Sequence, residues 1–303
     1  MTATTIIDNR FMPLISYTEK AGEKFGSSAA SIVIIQDNKV LTEWYAGQHH
    51  FKKGALAVST DSMFNLYSLR KTYVGLATAI AVVENKLSVD CKVSDVLTNT
   101  PDYELGSTTI RDLATKSGAK YFGPNRIEHE EVACDLIREL TGYNIAELLT
   151  ERIFKPMELT DTEWVSVPKE KLVCDFQAAD GYASVRIESN EGHERNLYSS
   201  ARDLAQWGNL HLIRGFKNHI QLIPADVFTL IEQLRIDTED KKRIFGWYYQ
   251  EKWYYASGAA GCHCVVVPKY HAVAVRMFNK YTEDYTEDQS SFNQIFDNCL
   301  QGV

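Results

Sequence analysis

The fold of this chain is decided by residues 64–76, FNLYSLRKTYVGL, together with the apolar run that follows them to residue 84. Ser68 and Lys71 form an S-x-x-K pair in this stretch, and residues three apart on a helix share one face. An amine in that position can take the proton of a serine hydroxyl, which makes the serine a nucleophile without a histidine. The pair therefore indicates acyl transfer.

The apolar run after the pair predicts a buried helix. Residues 72–84 are almost uncharged over about three and a half turns, and a helix that is apolar on every side lies in a core. A second S-x-x-K copy, formed by Ser166 and Lys169, contains Pro168, which argues against a helix there. One alternative stays open for the first copy, in which Ser68 only caps the helix and the lysine lies at the edge of the core.

Size and charge limit the classes of protein to consider. The chain has 303 residues, which suits one large domain or two joined lobes, with 45% hydrophobic and 24% charged residues. A net charge of −8 argues against nucleic acid or an anionic membrane as partner. Residues 1–10 do not resemble a signal peptide, and no apolar run reaches the length of a membrane span. We expect a cytoplasmic protein.

The cysteines and histidines do not predict a metal centre. Six cysteines are scattered without a C-x-x-C pair, and the histidines lack H-E-x-x-H spacing. Cys262, His263 and Cys264 could suggest a metal site, but they lead into residues 265–267, all valine. Their alternation favours a strand with both thiols on one face. We expect neither a metal nor an organic cofactor.

The order of predicted elements indicates an α+β fold. A hairpin near the N-terminus and aromatic or β-branched strands near the C-terminus predict one antiparallel sheet built from both ends of the chain. Helices flank this sheet, and a mainly helical lobe is inserted into it. We place the sheet lobe at residues 1–60 and 215–303 and the helical lobe at 61–214. The principal segments are predicted strands at 31–36, 40–45, 262–267 and 272–278, and helices at 14–26, 130–140, 200–213 and 290–300.

With its motifs in this order, the chain resembles the serine β-lactamase and penicillin-binding-protein superfamily. More narrowly, it is similar to the class C β-lactamase-related esterases and amide hydrolases. Beyond the S-x-x-K pair, the likeness lies in residues 87–90, 109–118, 140–162 and 197–205. The resemblance implies a β-lactamase/transpeptidase-like fold and a serine hydrolase that needs no cofactor.

The family's third motif, usually [KH]-[ST]-G, falls on Ala256, Ser257 and Gly258. Alanine at the first position removes a cation that would hold a substrate carboxylate, so the resemblance implies small esters or amides more than β-lactams. It also implies an oxyanion hole formed by the backbone N–H groups of Ser68 and Ala259. The alternative is that Ser257 and Gly258 form an ordinary bulge or turn.

The family's second motif, Tyr-x-Asn, is displaced in this sequence. Its tyrosine should fall near Asn125, where no tyrosine stands, and the preceding loop is short. The resemblance therefore makes Tyr121 the candidate for the phenol that shares the base role, with Asn125 as the asparagine of the motif. The alternative is that Tyr121 is an ordinary half-buried aromatic residue.

Together these features predict a serine hydrolase that cleaves small esters or amides through an acyl-enzyme on Ser68. Lys71 would act as the base, because partial desolvation lowers the pKa of an amine. The expected partner is a small-molecule substrate, and the sequence predicts no oligomeric state. The competing hypothesis is a non-catalytic binding or regulatory protein that keeps the β-lactamase-like fold, which the displaced tyrosine and the alanine of the third motif would favour.

Overall fold

An antiparallel sheet of seven strands places the N-terminal hairpin beside the C-terminal strands, in the order β10-β11-β12-β13-β14-β1-β2. The computed structural model describes residues 6–99, 105–115, 121–122, 127–174, 185–237, 243–280 and 285–302. The strands in these ranges are β1 (Ala29–Gln36), β2 (Lys39–Gly47), β3 (Met63–Asn65), β4 (Tyr121–Phe122), β5 (Ile127–Glu128), β6 (Thr162–Trp164), β7 (Leu197–Ser200), β8 (Phe216–Lys217), β9 (Ile220–Gln221), β10 (Arg243–Ile244), β11 (Trp247–Tyr249), β12 (Tyr254–Gly258), β13 (Cys262–Val267) and β14 (Ala272–Phe278).

Helices cover both faces of this sheet. Short 3-10 turns precede α1 and α2 and follow β13, and a π-helical turn joins α5 to α6. No helix within the described ranges is long and apolar enough to span a membrane. The helices are α1 (Met12–Phe25), α2 (Lys71–Glu84), α3 (Ile110–Thr115), α4 (His129–Thr141), α5 (Ile145–Leu149), α6 (Lys155–Met157), α7 (Ala201–Leu212), α8 (Ala225–Asp237) and α9 (Tyr285–Gln301).

Strand β1 shows how the core is divided between the two faces. It pairs with β14 on one side and β2 on the other, and its side chains are buried on both faces. Val33 and Ile35 pack in the larger core with α2, α7 and α8. Ile32 and Ile34 pack on the opposite face with α1 and α9. An internal strand covered on both faces explains the unbroken apolar run in this part of the sequence.

Helix α2 is buried along most of its length, as its composition predicts. Every residue from Thr72 to Val82 is buried. Tyr73 stacks on Trp207 of α7 with ring centroids 3.8 Å apart, and the indole N–H of Trp207 donates to Thr72 Oγ1 at 3.0 Å. These contacts fix the first turn of α2 against α7, and therefore against the sheet that α7 covers.

A smaller sheet, in the order β3-β7-β6, lies beside the main one and is tied to the start of α7. Asp203 is 7% exposed, and its Oδ2 accepts hydrogen bonds from Asp161 N at 2.8 Å and Thr162 Oγ1 at 2.9 Å. Burial raises the pKa of the Asp203 carboxyl to about 6, against these hydrogen bonds, which lower it. The link anchors β6 to α7 through a buried carboxyl.

The α+β architecture with an antiparallel sheet is confirmed, and β13 and β14 have the bounds that the sequence predicts. Both thiols of Cys262 and Cys264 belong to the larger core, whereas the imidazole of His263 lies 3.0 Å from Asp288 of α9. The strand interpretation of this segment is therefore confirmed. The predicted start of the last helix at residue 290 is wrong, because α9 begins at Tyr285. The lobe boundaries stay a prediction.

Candidate active site

Ser68 lies in a strained 3-10 turn, Tyr67–Arg70, here called the serine turn, directly before α2. The sequence places it at the head of the helix itself, which is wrong by one turn, because α2 begins at Lys71. Tyr67 has φ +48°, a left-handed conformation that is uncommon for a residue with a bulky side chain. Ser68 is exposed. The turn thus presents the serine to solvent at the edge of a buried helix.

Hydrogen bonds on both sides hold Tyr67 in this conformation. Its N–H donates to Asn65 Oδ1 at 2.8 Å, and its carbonyl accepts from Arg70 Nη1 at 3.3 Å. The Asn65 amide in turn donates to the carbonyl of Arg195 at 3.0 Å. Strain of about 1–3 kcal/mol persists only where surrounding contacts over-determine the backbone. The N-cap residues of the turn and of α2 are Leu66 and Arg70, so the alternative in which Ser68 caps the helix is wrong.

Lys71 faces a carboxylate that the sequence analysis did not single out. Its Nζ lies 3.8 Å from Oε1 of Glu130, and the two side chains are only 20% and 8% exposed. Burial lowers the pKa of the neighbouring Arg70, and the charge of Glu130 acts in the opposite direction. Glu130 is therefore close to two cationic side chains, those of Arg70 and Lys71, at the end of the serine turn. In the sequence it reads as an acidic residue in the first turn of a helix, which is common without any catalytic role.

Strand β12 brings the third-motif residues against the serine turn. A Cβ added to Gly258 would lie 2.3 Å from the carbonyl oxygen of Leu66 and 3.1 Å from Cβ of Tyr67. Real Cβ atoms do not approach that closely, so only glycine fits at this contact. The alternative of an ordinary turn does not account for so close an approach. Ala259 follows the end of β12, next to this contact.

Within the motif, neighbouring residues lie on opposite faces of β12. Ala256 is buried in the larger core. Ser257 lies opposite His263 of β13, and directly opposed residues share a face of a sheet. The imidazole of His263 contacts α9, so Ser257 lies on the α9 face, while Gly258 faces the serine turn. The structure thus brings the motif to Ser68 through the backbone at Gly258.

The second-motif candidates are described only in part. Tyr121 belongs to β4 and pairs with Glu128 of β5, two residues before Glu130. Asn125 lies outside the described residues. The roles assigned to Tyr121 and Asn125 therefore stay predictions, and the group found next to Lys71 is Glu130.

Comparison with known proteins adds to this geometry. A family model described as Beta-lactamase matches residues 15–291. The chain belongs to the beta-lactamase family. A curated relative, an uncharacterized protein from Alkalihalophilus pseudofirmus, is 28% identical to this chain, and the match covers 99% of each of the two chains. The superfamily assignment made from the motifs is therefore confirmed.

Solved structures share the fold of this beta-lactamase family member along nearly its whole length. At 13–15% identity these likenesses establish the fold alone, and they confirm the predicted β-lactamase/transpeptidase-like architecture. They include a penicillin-binding-protein homologue from Caulobacter crescentus (TM-score 0.76, 15% identity, 98% of this chain and 99% of that one), a class C beta lactamase from Rhodobacter sphaeroides (0.73, 14%, 96% and 99%), and EstCE1, a hydrolase with promiscuous acyltransferase activity (0.74, 13%, 95% and 98%).

Proposed function

We propose that this protein is a serine hydrolase that cleaves small esters or amides through an acyl-enzyme on Ser68, with Lys71 as the base. The observation that carries the proposal is the position of an exposed serine in a strained turn directly before the half-buried Lys71–Glu130 pair. A hydroxyl that only stabilised the fold would not need a left-handed tyrosine before it.

Glu130 supplies a route for the proton. Resting Lys71 is favoured as the ammonium by the carboxylate 3.8 Å away. A bound substrate excludes water and disfavours both charges, so the proton moves to Glu130 and leaves a neutral amine. Lys71 then takes the Ser68 proton as the hydroxyl oxygen attacks the carbonyl carbon. Tyr121 is the competing candidate for the partner of Lys71.

The oxyanion formed by this attack needs hydrogen-bond donors. The N–H of Ser68 belongs to the first turn of a helical segment, where N–H groups have no acceptor within the helix. The N–H of Ala259 follows Gly258, which touches the serine turn. We propose these two groups as the oxyanion hole, where each donor is worth about 10² to 10³ in rate. Collapse of the tetrahedral intermediate releases the alcohol or amine, which takes the proton that Lys71 removed from Ser68. Water then hydrolyses the acyl-enzyme, which releases the acid and restores the Ser68 hydroxyl.

The third motif guides the choice of substrate class. Ala256 is buried where many family members carry a lysine or histidine, so this position offers no charge to a substrate carboxylate. Neutral acyl groups are therefore better substrates than penicillins. A fold neighbour that is a hydrolase with promiscuous acyltransferase activity supports ester chemistry on this scaffold. The cytoplasmic location stays a prediction.

The first test is the intact mass of the full chain after exposure to a fluorophosphonate. We expect one adduct on the wild type and on Ser166→Ala, and none on Ser68→Ala. Ser166→Ala is the matched control, because it removes the serine of the second S-x-x-K copy. Hydrolysis of p-nitrophenyl esters is measured on the same samples and should follow the labelling. Absence of both adduct and ester turnover in the wild type would favour the non-catalytic alternative.

A further inference from the structure

Three side chains of metal-ligating types lie together outside the candidate active site. Cys134 lies on the buried face of α4, and Glu191 and His193 come from the loop of residues 189–195, here called the 189–195 loop. One ligand atom of each residue lies within 4.8 Å of the other two. None of these residues takes part in the proposed hydrolysis.

The imidazole and the thiol of the cluster have weak contacts or none within the described residues. His193 Nδ1 is buried, has no hydrogen-bond partner among the residues that the structure describes, and lies 3.9 Å from Glu191 Oε2. Cys134 is 1% exposed, and its thiol donates a long hydrogen bond of 3.8 Å to the backbone carbonyl of Glu191. A buried imidazole nitrogen that lacks a partner is unfavourable. A cation between these three atoms would satisfy it.

The 189–195 loop is fixed in place before any ion binds. Gly192 has φ +104°, and a Cβ there would lie 2.5 Å from Cβ of Ile145 at the start of α5. The Ala146 N–H donates to the Glu191 carbonyl at 3.3 Å, and the Asn196 amide donates to the Ser189 carbonyl at 2.8 Å. Ligands on a fixed backbone lose little freedom on binding, which favours a site over a chance cluster.

The charges around the cluster are compatible with a divalent cation. Arg138 Nη2 lies 3.2 Å from Glu191 Oε2, which competes with a metal for this carboxylate. The same guanidinium also lies 3.3 Å from Asp135, and the Arg138 side chain is 45% exposed. Arg138 can therefore stay paired with Asp135 while Glu191 binds the ion. Burial raises the pKa of the Cys134 thiol. Metal binding therefore replaces the thiol proton, forming a metal–thiolate bond and releasing one proton to solvent.

We propose that Cys134, Glu191 and His193 bind a Zn²⁺ ion or a closely similar transition-metal ion. A thiolate, an imidazole and a carboxylate together suit Zn²⁺, whereas Mg²⁺ and Ca²⁺ select oxygen ligands. Donor atoms around Zn²⁺ lie about 2.0–2.3 Å from the ion, so the three side chains close by about 1 Å on binding. A water from the adjacent cavity of about 320 Å³, which His193 lines, completes the four ligands.

The expected effect of the ion is to clamp the 189–195 loop to α4. Arg195, the last residue of this loop, pairs with Glu128 at 2.6 Å, and its carbonyl accepts the hydrogen bond from Asn65 that supports the serine turn. The sequence shows no metal motif here because the cysteine and the loop residues are far apart along the chain, and only the fold brings them together.

The test uses the full chain, freed of metal with a chelator and titrated with Co²⁺ as a spectroscopic probe. We expect one equivalent of Co²⁺ to produce a thiolate-to-cobalt charge-transfer band that Zn²⁺ displaces, and Zn²⁺ to raise the melting temperature. Cys134→Ser should lose the band, and His193→Gln should weaken Co²⁺ binding at least tenfold. Cys174→Ser, at a half-buried cysteine outside the cluster, is the matched control and should keep the band.

Two outcomes would overturn the proposal. The first is a wild type without a charge-transfer band, and the second is a band that persists in Cys134→Ser. Because Cys134 is buried, circular dichroism checks that its variant folds. If Cys134→Ser does not fold, the loop variant His193→Gln still decides the test. Unchanged Co²⁺ affinity in His193→Gln would also refute the site. Neither measurement uses hydrolytic activity, so it is independent of the proposed function.

Discussion

The two S-x-x-K copies of this chain have the same letters and opposite surroundings. Ser68 and Lys71 lie at the junction of a strained turn and a buried helix, with Glu130 3.8 Å from the amine. Ser166 and Lys169 follow β6 in an exposed segment that forms no helix, and Lys169 pairs with the half-buried Glu163 of β6. Strand β12 approaches the turn of the first copy at Gly258, next to Leu66 and Tyr67.

The difference shows what turns a short motif into a site. An amine in water stays protonated and mobile, and an exposed ion pair such as that of Lys169 adds about 0–1 kcal/mol at most. Lys71 is held by α2 against a buried carboxylate, so its proton can respond to a substrate that excludes water. Reactivity therefore depends on burial and on partners from other parts of the chain.

Replacement of the two lysines gives the largest expected contrast. Lys71→Met should lower the rate of ester hydrolysis by about 10² to 10⁴, because the base of the attack is lost. Lys169→Met should leave the rate within twofold, since it breaks only an exposed ion pair. Steady-state kinetics with a p-nitrophenyl ester measures both. Equal losses in the two variants would mean that the first copy has no special role.

The contact between β12 and the serine turn is the next feature to test. Gly258→Ala should lower kcat by about 10² or more, because the new Cβ pushes the Ala259 N–H away from the oxyanion. It should also lower the melting temperature through overpacking. Gly22→Ala in α1 is the matched control, since its Cβ would meet Phe278 at an ordinary 3.5 Å. A Gly258→Ala enzyme with full activity would separate β12 from catalysis.

Glu130 is tested against its exposed neighbour Glu131. Glu130→Gln keeps the shape but removes the charge near Lys71, and we expect a 10- to 10²-fold lower kcat. The loss follows because the amine no longer has a carboxylate that can accept its proton. Glu131→Gln should leave kcat unchanged. If Tyr121→Phe instead causes the larger loss, the phenol is the partner of Lys71.

Asp203 anchors β6, the strand that precedes the second S-x-x-K copy. Its replacement tests whether this region contributes to stability and not to catalysis. Its folded-state pKa of about 6 lies above the ordinary aspartate value. The protonated Asp203 carboxyl therefore stabilises the folded protein below pH 4, and this contribution to the free energy of unfolding is lost as the pH rises through 6. Relative to Asp203→Asn, the wild type should lose about 2–3 kcal/mol of unfolding free energy between pH 4 and pH 7. Urea denaturation at several pH values measures this difference.

Hydrolytic activity of Asp203→Asn should stay within twofold of the wild type. The buried carboxyl anchors β6 and does not contact the serine turn through its hydrogen bonds. A large loss of activity without a change in the pH dependence of stability would contradict this separation of the two regions.

Local patterns predicted the parts of the molecule that local forces determine. The run Cys262–Val267 alternates between two cores, so both its strand type and its bounds were readable. The last helix was predicted too short at its N-terminal end, which contains Asp288. In the structure Asp288 is buried against Arg276 of β14 and His263 of β13. A charge whose partners are distant in sequence cannot be assigned to a core from its neighbours.

The candidate site shows the same limit. Ser68 and Lys71 were identified because one turn of helix brings them together. Glu130 was missed because its contact with Lys71 depends on how α4 packs against α2. The left-handed Tyr67 was missed because its strain is held by Asn65 and Arg70 rather than by its own preference.

The pairing of β1 with β14 has a consequence for how the protein is made. Val33 lies opposite Val275, so β1 pairs with a strand that the ribosome produces much later. At about 5–20 residues per second, this delay is roughly 10–50 s. During it the N-terminal hairpin exposes an apolar strand with an open edge, which is a template for aggregation. Productive folding of this chain in a cell therefore depends on protection of its first strand during synthesis.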